Sequence, residues 1–362
     1  MIAASPENSL ARLGYSLSQE QTGAGRIYFP IDITDAADRV VRLEKAPQKI
    51  FVVGHGPFMV AHLLYMFPEG RSLMAGLEKR GENAGEFLPL IDPEFSQKII
   101  LKSNPGPEEI AAHRPDLILI RGSALETIGL TLLRIGIPVL YVGLETPEQF
   151  NKDTANLGVI TNNPARAKEI TAYFKTRLDC LGESLKDLRD DDKPRVLTAM
   201  HTERGGRVAV RVPPLSWMQT IQTRAAGGNP VWAEAVSASS GWTVVNLEQI
   251  SRWDPDMIFI VAWNSLDVKK TIDQLKADAL WGRLRAVRKG TLYAFPTDLY
   301  GWDSPDPRWI LGMTWLAQKI HPQRFPGLDI RQEIFRFYED LYAMTKDDVE
   351  KKIMPAVRMD FK

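Results

Sequence analysis

Short apolar runs separated by longer mixed segments set the rhythm of this chain. They are Ile50 to Val53, Leu117 to Ile120 and Val139 to Val142 in the first half, then Val196 to Met200, Met257 to Val261 and Leu292 to Phe295 in the second. Each reads as a buried strand, and the segments between them are long enough to hold helices, the alternation that builds parallel βαβ sheets. Ahead of them, Ile31 to Glu44 offers two β-prone runs around Asp35 to Asp38, which predicts a hairpin. One helix signal stands out. Asn163 is a good N-cap with Pro164 at the first helical position, and Ile170, Phe174, Leu178, Leu181, Leu185 and Leu188 then recur at steps of three or four. Running to about Arg189, such a helix would be roughly 40 Å long at 1.5 Å per residue, enough to bridge two lobes. An ordinary long crossover helix within one domain is the alternative.

The two halves repeat each other. Residues 108–120 read EEIAAHRPDLILI and residues 248–260 read EQISRWDPDMIFI, matching at Glu108/Glu248, Ile110/Ile250, Pro115/Pro255, Asp116/Asp256, Ile118/Ile258 and Ile120/Ile260. In each copy a helix led by Glu stops before a Pro-Asp turn, because Pro cannot continue it, and a strand follows. A weaker match aligns IFVVGH with VLTAMH and puts His55 and His201 just past the first strand of each half. The expected architecture is therefore α/β: two similar lobes with mainly parallel sheets, joined by one long helix, with a ligand cleft between them. Residues 1–25 read as a poorly ordered lead-in, 26–162 as the N-terminal lobe, 163–190 as the connecting helix and 191–362 as the C-terminal lobe.

Composition narrows the class. At 362 residues the chain exceeds the usual size of one hydrophobic core. Lys plus Arg and Asp plus Glu both number 45, so no net field would hold the protein on a nucleic acid or an anionic membrane. The lone cysteine, Cys180, excludes an intrachain disulfide, a CxxC pair and a multi-Cys metal site. The uncharged run Ile50 to Pro68 contains Gly54, His55, Gly56, Pro57 and His62, and reads as strand, turn and helix rather than a membrane span. The first residues lack the basic and apolar segments of a secretory signal, which leaves either a cytoplasmic protein or a mature exported one.

Open α/β sheets bind ligands beyond the carboxyl ends of their strands. The residues expected there, and so expected to line a ligand, are His55, Phe58, Arg121, His201, Arg204, Trp217, Trp263, Tyr300 and Trp302. Aromatic faces supply apolar area and Arg pairs with carboxylates, a set suited to a large, partly planar, anionic or metal-bearing ligand. Imidazole can fill an open position on a metal, which makes His55 and His201 candidate contacts to a metal held in a chelate. Each His has a plainer alternative as a hydrogen-bonded loop residue. No phosphate loop, GxGxxG turn, GxSxG elbow or HExxH helix is present, so the sequence points to binding and away from catalysis, with no cofactor of its own.

At this point a family resemblance becomes specific. LWGRLRAVRKGTLYAFPTD, the loop and helix SPDPRWILGMTWLAQKIHPQRF and the helical IFRFYEDLYAM resemble the C-terminal lobe of the class III periplasmic substrate-binding proteins of ABC importers, which serve iron–siderophores, haem and cobalamin. ITDAADRVVRLEKAPQKIFVVG resembles their opening hairpin and first strand, and PEEIAAHRPDLILI their Pro-Asp element, so the likeness covers about residues 31–344. It implies a non-enzymatic, monomeric, periplasmic protein whose partners are an ABC permease dimer with its ATPase and a small metal chelate, such as an iron–siderophore or a haem-like compound. A cobalamin carrier of the same fold and a tetrapyrrole-handling, chelatase-like enzyme are the alternatives. The resemblance also implies docking through one surface carboxylate per lobe; the matching positions are Glu108 and Glu248. The alternative for both is a helix N-terminal carboxylate placed by the macrodipole.

Overall fold

The computed structural model describes residues 22–23, 26–79, 87–204, 207–236, 239–261 and 268–359. Most of the expected lead-in lies outside them. The chain divides into two compact units between Tyr173 and Phe174.

In unit 1, two short strands, β1 (Thr22–Gly23) and β2 (Arg26–Ile27), pair antiparallel. The expected hairpin follows as β3 (Ile31–Thr34) and β4 (Val40–Leu43). Asp35 makes its turn: the carboxylate accepts from the backbone N–H groups of Ala37 and Arg39 and from the Arg39 side chain, and it also accepts from Tyr141 N of the main sheet. That sheet has five parallel strands in the order β7-β6-β5-β8-β9, namely Ile99–Leu101, Met74–Glu78, Ile50–Gly54, Leu117–Arg121 and Val139–Tyr141. The fully buried runs on β5 and β8 are what a parallel sheet covered on both faces requires. Strands β6 and β7 lack such runs. MAGLE is mixed and IIL is only three residues long, and their pairing, β6 on β5 and β7 on β6, makes them strands.

Unit 2 holds a six-stranded sheet in the order β13-β11-β10-β14-β15, with β12 (Asn229–Pro230) pairing β10. The others are β10 (Arg195–Arg204), β11 (Arg207–Val212), β13 (Thr243–Val245), β14 (Met257–Val261) and β15 (Leu292–Ala294). Pairs β10·β12, β10·β14 and β14·β15 are parallel, but β10·β11 and β11·β13 are antiparallel. The lobes are thus less alike than the repeat predicted. β10 runs on for ten residues and turns back as a hairpin, and His201 lies inside that strand, opposite Val210, instead of just past it.

The 140-residue repeat has a physical reason. Helices α1 (Pro107–Ala112) and α2 (Leu247–Trp253) both end in a left-handed residue close behind, Arg114 at φ 53° and Asp254 at φ 38°. The Asp116 carboxylate then accepts from Gln48 N and Lys49 N at 2.9 Å each, and Asp256 accepts from Arg195 N at 2.9 Å. Each Pro-Asp turn therefore clamps the chain entering the first strand of its own sheet. Ile50 pairs Leu117 in one unit and Val196 pairs Met257 in the other.

The long helix, Pro164–Leu185, spans 22 residues, and the unit boundary falls within it. The Asn163 side chain caps it by accepting from Arg166 N, and Arg166 Nε donates to Met66 O in unit 1. In unit 2, Phe174 packs on Trp309 with ring centroids 5.1 Å apart and Arg177 pairs with Glu333 at 2.8 Å. The helix stops short of Arg189, where the charge-rich residues that follow turn and pair with each other, as Arg189 does with Asp192 and Lys193 with Asp190.

Candidate functional site

At the carboxyl edge of the unit 1 sheet, three connections converge. Gly54 ends β5 at φ +101°, with its N–H donating to the buried Glu78 carboxylate at 2.7 Å; a Cβ there would sit 2.3 Å from Arg121 O. Only glycine fits. His55 follows, exposed, its N–H donating to Arg121 O at 3.0 Å. Its ring lies over Gly122, at φ +70°, where a Cβ would approach the imidazole Nδ1 to 2.7 Å.

Arg121, at the end of β8, braces this edge. Its Nη1 donates to His55 O at 3.2 Å, its Nε to Gly143 O at 3.0 Å, and its Nη2 pairs with Glu145. The expected ligand-facing cation is largely committed to the protein: its side chain is 10% exposed, and Glu145 balances its charge. Burial pushes the Glu145 carboxyl up, while the guanidinium pulls it down. Beneath the same loop, Asp153 accepts from Gly143 N and Leu144 N at 3.0 and 2.9 Å and from Gln149 Nε2. Burial nevertheless raises its pKa to about 6. Leu144 is held at φ 63°, a sparsely populated conformation for leucine.

Phe58 corrects an expectation. It lies in the helix Pro57–Leu64, only 4% exposed, its ring beside His62, and acts as core.

In unit 2, Met200 pairs both Val261, the last residue of β14, and Arg211, so Arg211 stands at the carboxyl edge of that sheet. Val210 and Val212 on either side belong to the apolar core, which places Arg211 on the opposite face. Its Nε is buried without a hydrogen-bond partner, and among the described residues no carboxylate lies within ion-pairing distance of it. Trp217, at the N-cap of the helix Met218–Ala225, packs edge-on against Trp242 at 5.6 Å and 84°. Both rings are half-buried. His201 is 5% exposed, far less presented than His55. Among the described residues there is no group of three or more His, Cys, Asp or Glu able to hold a metal ion.

Trp302 is a second correction. It is fully buried, and its indole donates to Asp298 Oδ2 at 3.0 Å. Asp298 also accepts from Arg308 Nε at 2.8 Å and from Tyr338 Oη at 2.6 Å, and Arg308 Nη1 donates to Asp306 at 2.8 Å. Burial opposes the Arg308 charge, but the two aspartates outweigh it and its pKa rises. Tyr300 remains half-buried, its backbone tied to Asp298. Trp263 and the Arg204 side chain lie outside the described residues. Glu108 and Glu248 occupy the second positions of α1 and α2, both exposed, with Glu248 paired to Arg252 at 3.2 Å.

Two α/β units whose strand ends carry polar and aromatic groups match a known family. Its model, described as periplasmic binding protein, matches residues 98–299, more than half of the chain. The chain belongs to the periplasmic binding protein family. Among curated relatives of this binding protein, the molybdate-binding protein of Haemophilus influenzae is 22% identical over 86% of this chain and 90% of that one. The Fe(3+)-citrate-binding protein of Bacillus subtilis is 35% identical over 55% of this chain and 59% of that one. Among solved structures, a periplasmic solute binding protein from Veillonella parvula has a TM-score of 0.71 at 22% identity, covering 89% of this chain and 96% of that one. The Haemophilus influenzae protein bound to molybdate scores 0.69 at 18% identity, covering 87% and 98%. These likenesses show the fold. The family consists of substrate-binding proteins, so the chain is a binding protein and not an enzyme, and proteins of this family carry no cofactor.

Arg211 escaped the sequence reading. RVAVRV alternates like any strand, and only the hairpin that returns from β10 brings this arginine to the carboxyl edge.

Proposed function

We propose that this binding protein is the substrate-capturing component of an ABC importer, that it takes a metal chelate at the carboxyl edges of its sheets, and that it delivers the chelate as a monomer to a permease dimer and its ATPase. The observation that carries this reading is His55, an exposed imidazole seated on Gly122 and pinned through its backbone by Arg121 at the end of a parallel strand. A ring held this way loses little freedom on binding, and it can fill an open position on a metal that brings its own ligands. Relatives named for molybdate and for Fe(3+)-citrate support a metal-bearing ligand. The periplasmic description of the family and of the Haemophilus influenzae molybdate-bound structure supports an extracytoplasmic location, and among the described residues no helix is long and apolar enough to cross a membrane. The Trp217–Trp242 pair favours a second reading, a cobalamin or other corrinoid carrier, because aromatic edges and faces suit a broad planar ligand.

Native mass spectrometry with an absorption spectrum, on protein purified from its own host, separates the two. An iron chelate and a corrinoid differ in mass and in visible bands. His55→Ala should weaken capture of the identified chelate about tenfold or more, equivalent to about 1.4 kcal/mol. Unchanged affinity in that variant removes the imidazole contact, and a purified protein that binds neither class of compound removes the proposed ligand.

A further inference from the structure

Glu78 is a buried carboxylate that the ligand reading leaves unused. It ends β6, is 1% exposed, and accepts backbone N–H bonds from two separate connections of unit 1: Gly54 N on Oε2 at 2.7 Å and Asn104 N on Oε1 at 2.9 Å. Both donors stand at positive φ, +101° at Gly54 and 54° at Asn104, where the backbone turns after β5 and after β7. A carboxylate suits this place. It is acceptor-only with two oxygens, so one side chain can serve two donors, and bonds to an ionised acceptor are the stronger kind. Burying that charge is unfavourable unless such bonds offset it. An apolar side chain would serve a strand end that needed no anchor.

The two connections lead to different surfaces. His55 follows Gly54 directly. Asn104 leads through Gly106, the N-cap of α1, to Glu108 in the first turn of that helix. We infer that Glu78 is a positioning residue that holds the His55 turn and the entry to α1 in one register, so that presentation of the imidazole and of Glu108 cannot change independently. This deepens the importer reading of unit 1 and rests on it: a chelate that draws on His55 pulls on the carboxylate that also sets the docking helix.

The test uses the full chain. Glu78→Met removes both acceptor oxygens and keeps an unbranched side chain of similar length; Glu78→Gln keeps one acceptor and is the milder change. Amide hydrogen exchange read by mass spectrometry, well below the unfolding midpoints of all proteins, needs no ligand. In Glu78→Met, exchange should rise about tenfold or more in residues 54–56 and in residues 103–106 together, while the hairpin Ile31–Leu43 keeps its wild-type rate. A rise in one segment only, in neither, or throughout unit 1 overturns the inference. If Glu78→Met does not fold, Glu78→Gln decides: at least one of the two segments should exchange faster, and no change in either overturns it. Two functional readouts separate positioning from packing, with ferric citrate as the probe. By calorimetry, His55→Ala should weaken binding less in the Glu78→Met background than in wild type, whereas equal losses mean that the carboxylate does not place the imidazole. In cells carrying the cognate importer, uptake by Glu78→Met should stay below wild type even at saturating ferric citrate, because excess chelate restores occupancy but not the docking helix; wild-type uptake there overturns the inference. Wild type that does not bind ferric citrate counts against the chelate reading alone, and the exchange pattern then decides whether one carboxylate holds both connections, so the two failures are distinguishable.

Discussion

Asp153 shows how one side chain couples the edge loop of unit 1 to pH. It is buried and holds Gly143 and Leu144 from below, while Arg121 holds Gly143 from above. Its pKa stands near 6 in the fold against an ordinary 3.8, with burial as the main cause. A carboxyl whose folded pKa is raised binds more protons folded than unfolded between those values. Its contribution to stability is therefore greatest below about pH 4 and falls as pH rises through the interval to 6, by about 3 kcal/mol at most for a shift of this size. Asp153→Asn keeps an acceptor for Gly143 and Leu144 and removes the titration. Urea unfolding at pH 4, 5, 6 and 7 should show wild type losing stability relative to the variant across that window; parallel curves would mean that Asp153 stays charged or is charged at no cost. The residue scale also explains two misplaced expectations. Phe58 and Trp302 follow strands, as ligand-lining residues do, but Phe58 enters a helix buried on every side and Trp302 points at Asp298. Position after a strand is visible in a sequence, and the direction of a side chain in an irregular loop is not.

At the scale of elements, the connection from β15 into the helix Trp309–Ile320 is held by a buried polar clip. Arg308, Asp298 and Asp306 have side chains fully removed from solvent, joined by two ion pairs at 2.8 Å and closed by Tyr338 from the helix Ile330–Tyr342. Replacing one partner leaves the others buried and uncompensated. Arg308→Met should cost about 3–5 kcal/mol in urea unfolding, whereas a loss below 1 kcal/mol would mean that water or protons satisfy the aspartates without it. The residues of this clip stand together in the sequence as DLYGWDSPDPR, and their loop was legible as a loop. That it forms an internal network was not, because its closing partner lies forty residues on, in a helix. The Pro-Asp turns were more transparent. Their repeat at an offset of 140 marks a helix stop before a strand in the sequence itself, and the structure adds that each carboxylate clamps the entry of the neighbouring strand.

For the whole molecule, the pseudo-repeat yields a functional test. Glu108 and Glu248 hold the same helical position in the two units, and both are exposed. If they meet arginines of a permease, as the family resemblance implies, joint charge reversal should leave ligand affinity unchanged and abolish uptake by cells carrying the cognate importer. A fall in affinity, or uptake at the wild-type rate, would assign both glutamates to helix N-terminal electrostatics alone. The six core strands expected from apolar runs all exist, Met257–Val261 with the expected ends and the other five with an end shifted by a residue or more, and the hairpin and long helix do too. The strands without such runs were missed, as was the return of β11 against β10.

The amino-acid order by itself determined what local energetics can express: which segments are apolar enough to be buried on both faces, where proline and a left-handed residue must stop a helix, and that one segment recurs 140 residues later. It also carried the family likeness. Only the tertiary structure decided which charges are already balanced. Arg121 and Arg211 are the same residue type near the same kind of strand edge, yet one has Glu145 beside it and the other has no carboxylate among the described residues within reach. Charge pairing and desolvation depend on distances between groups far apart in the chain, and no local pattern encodes them.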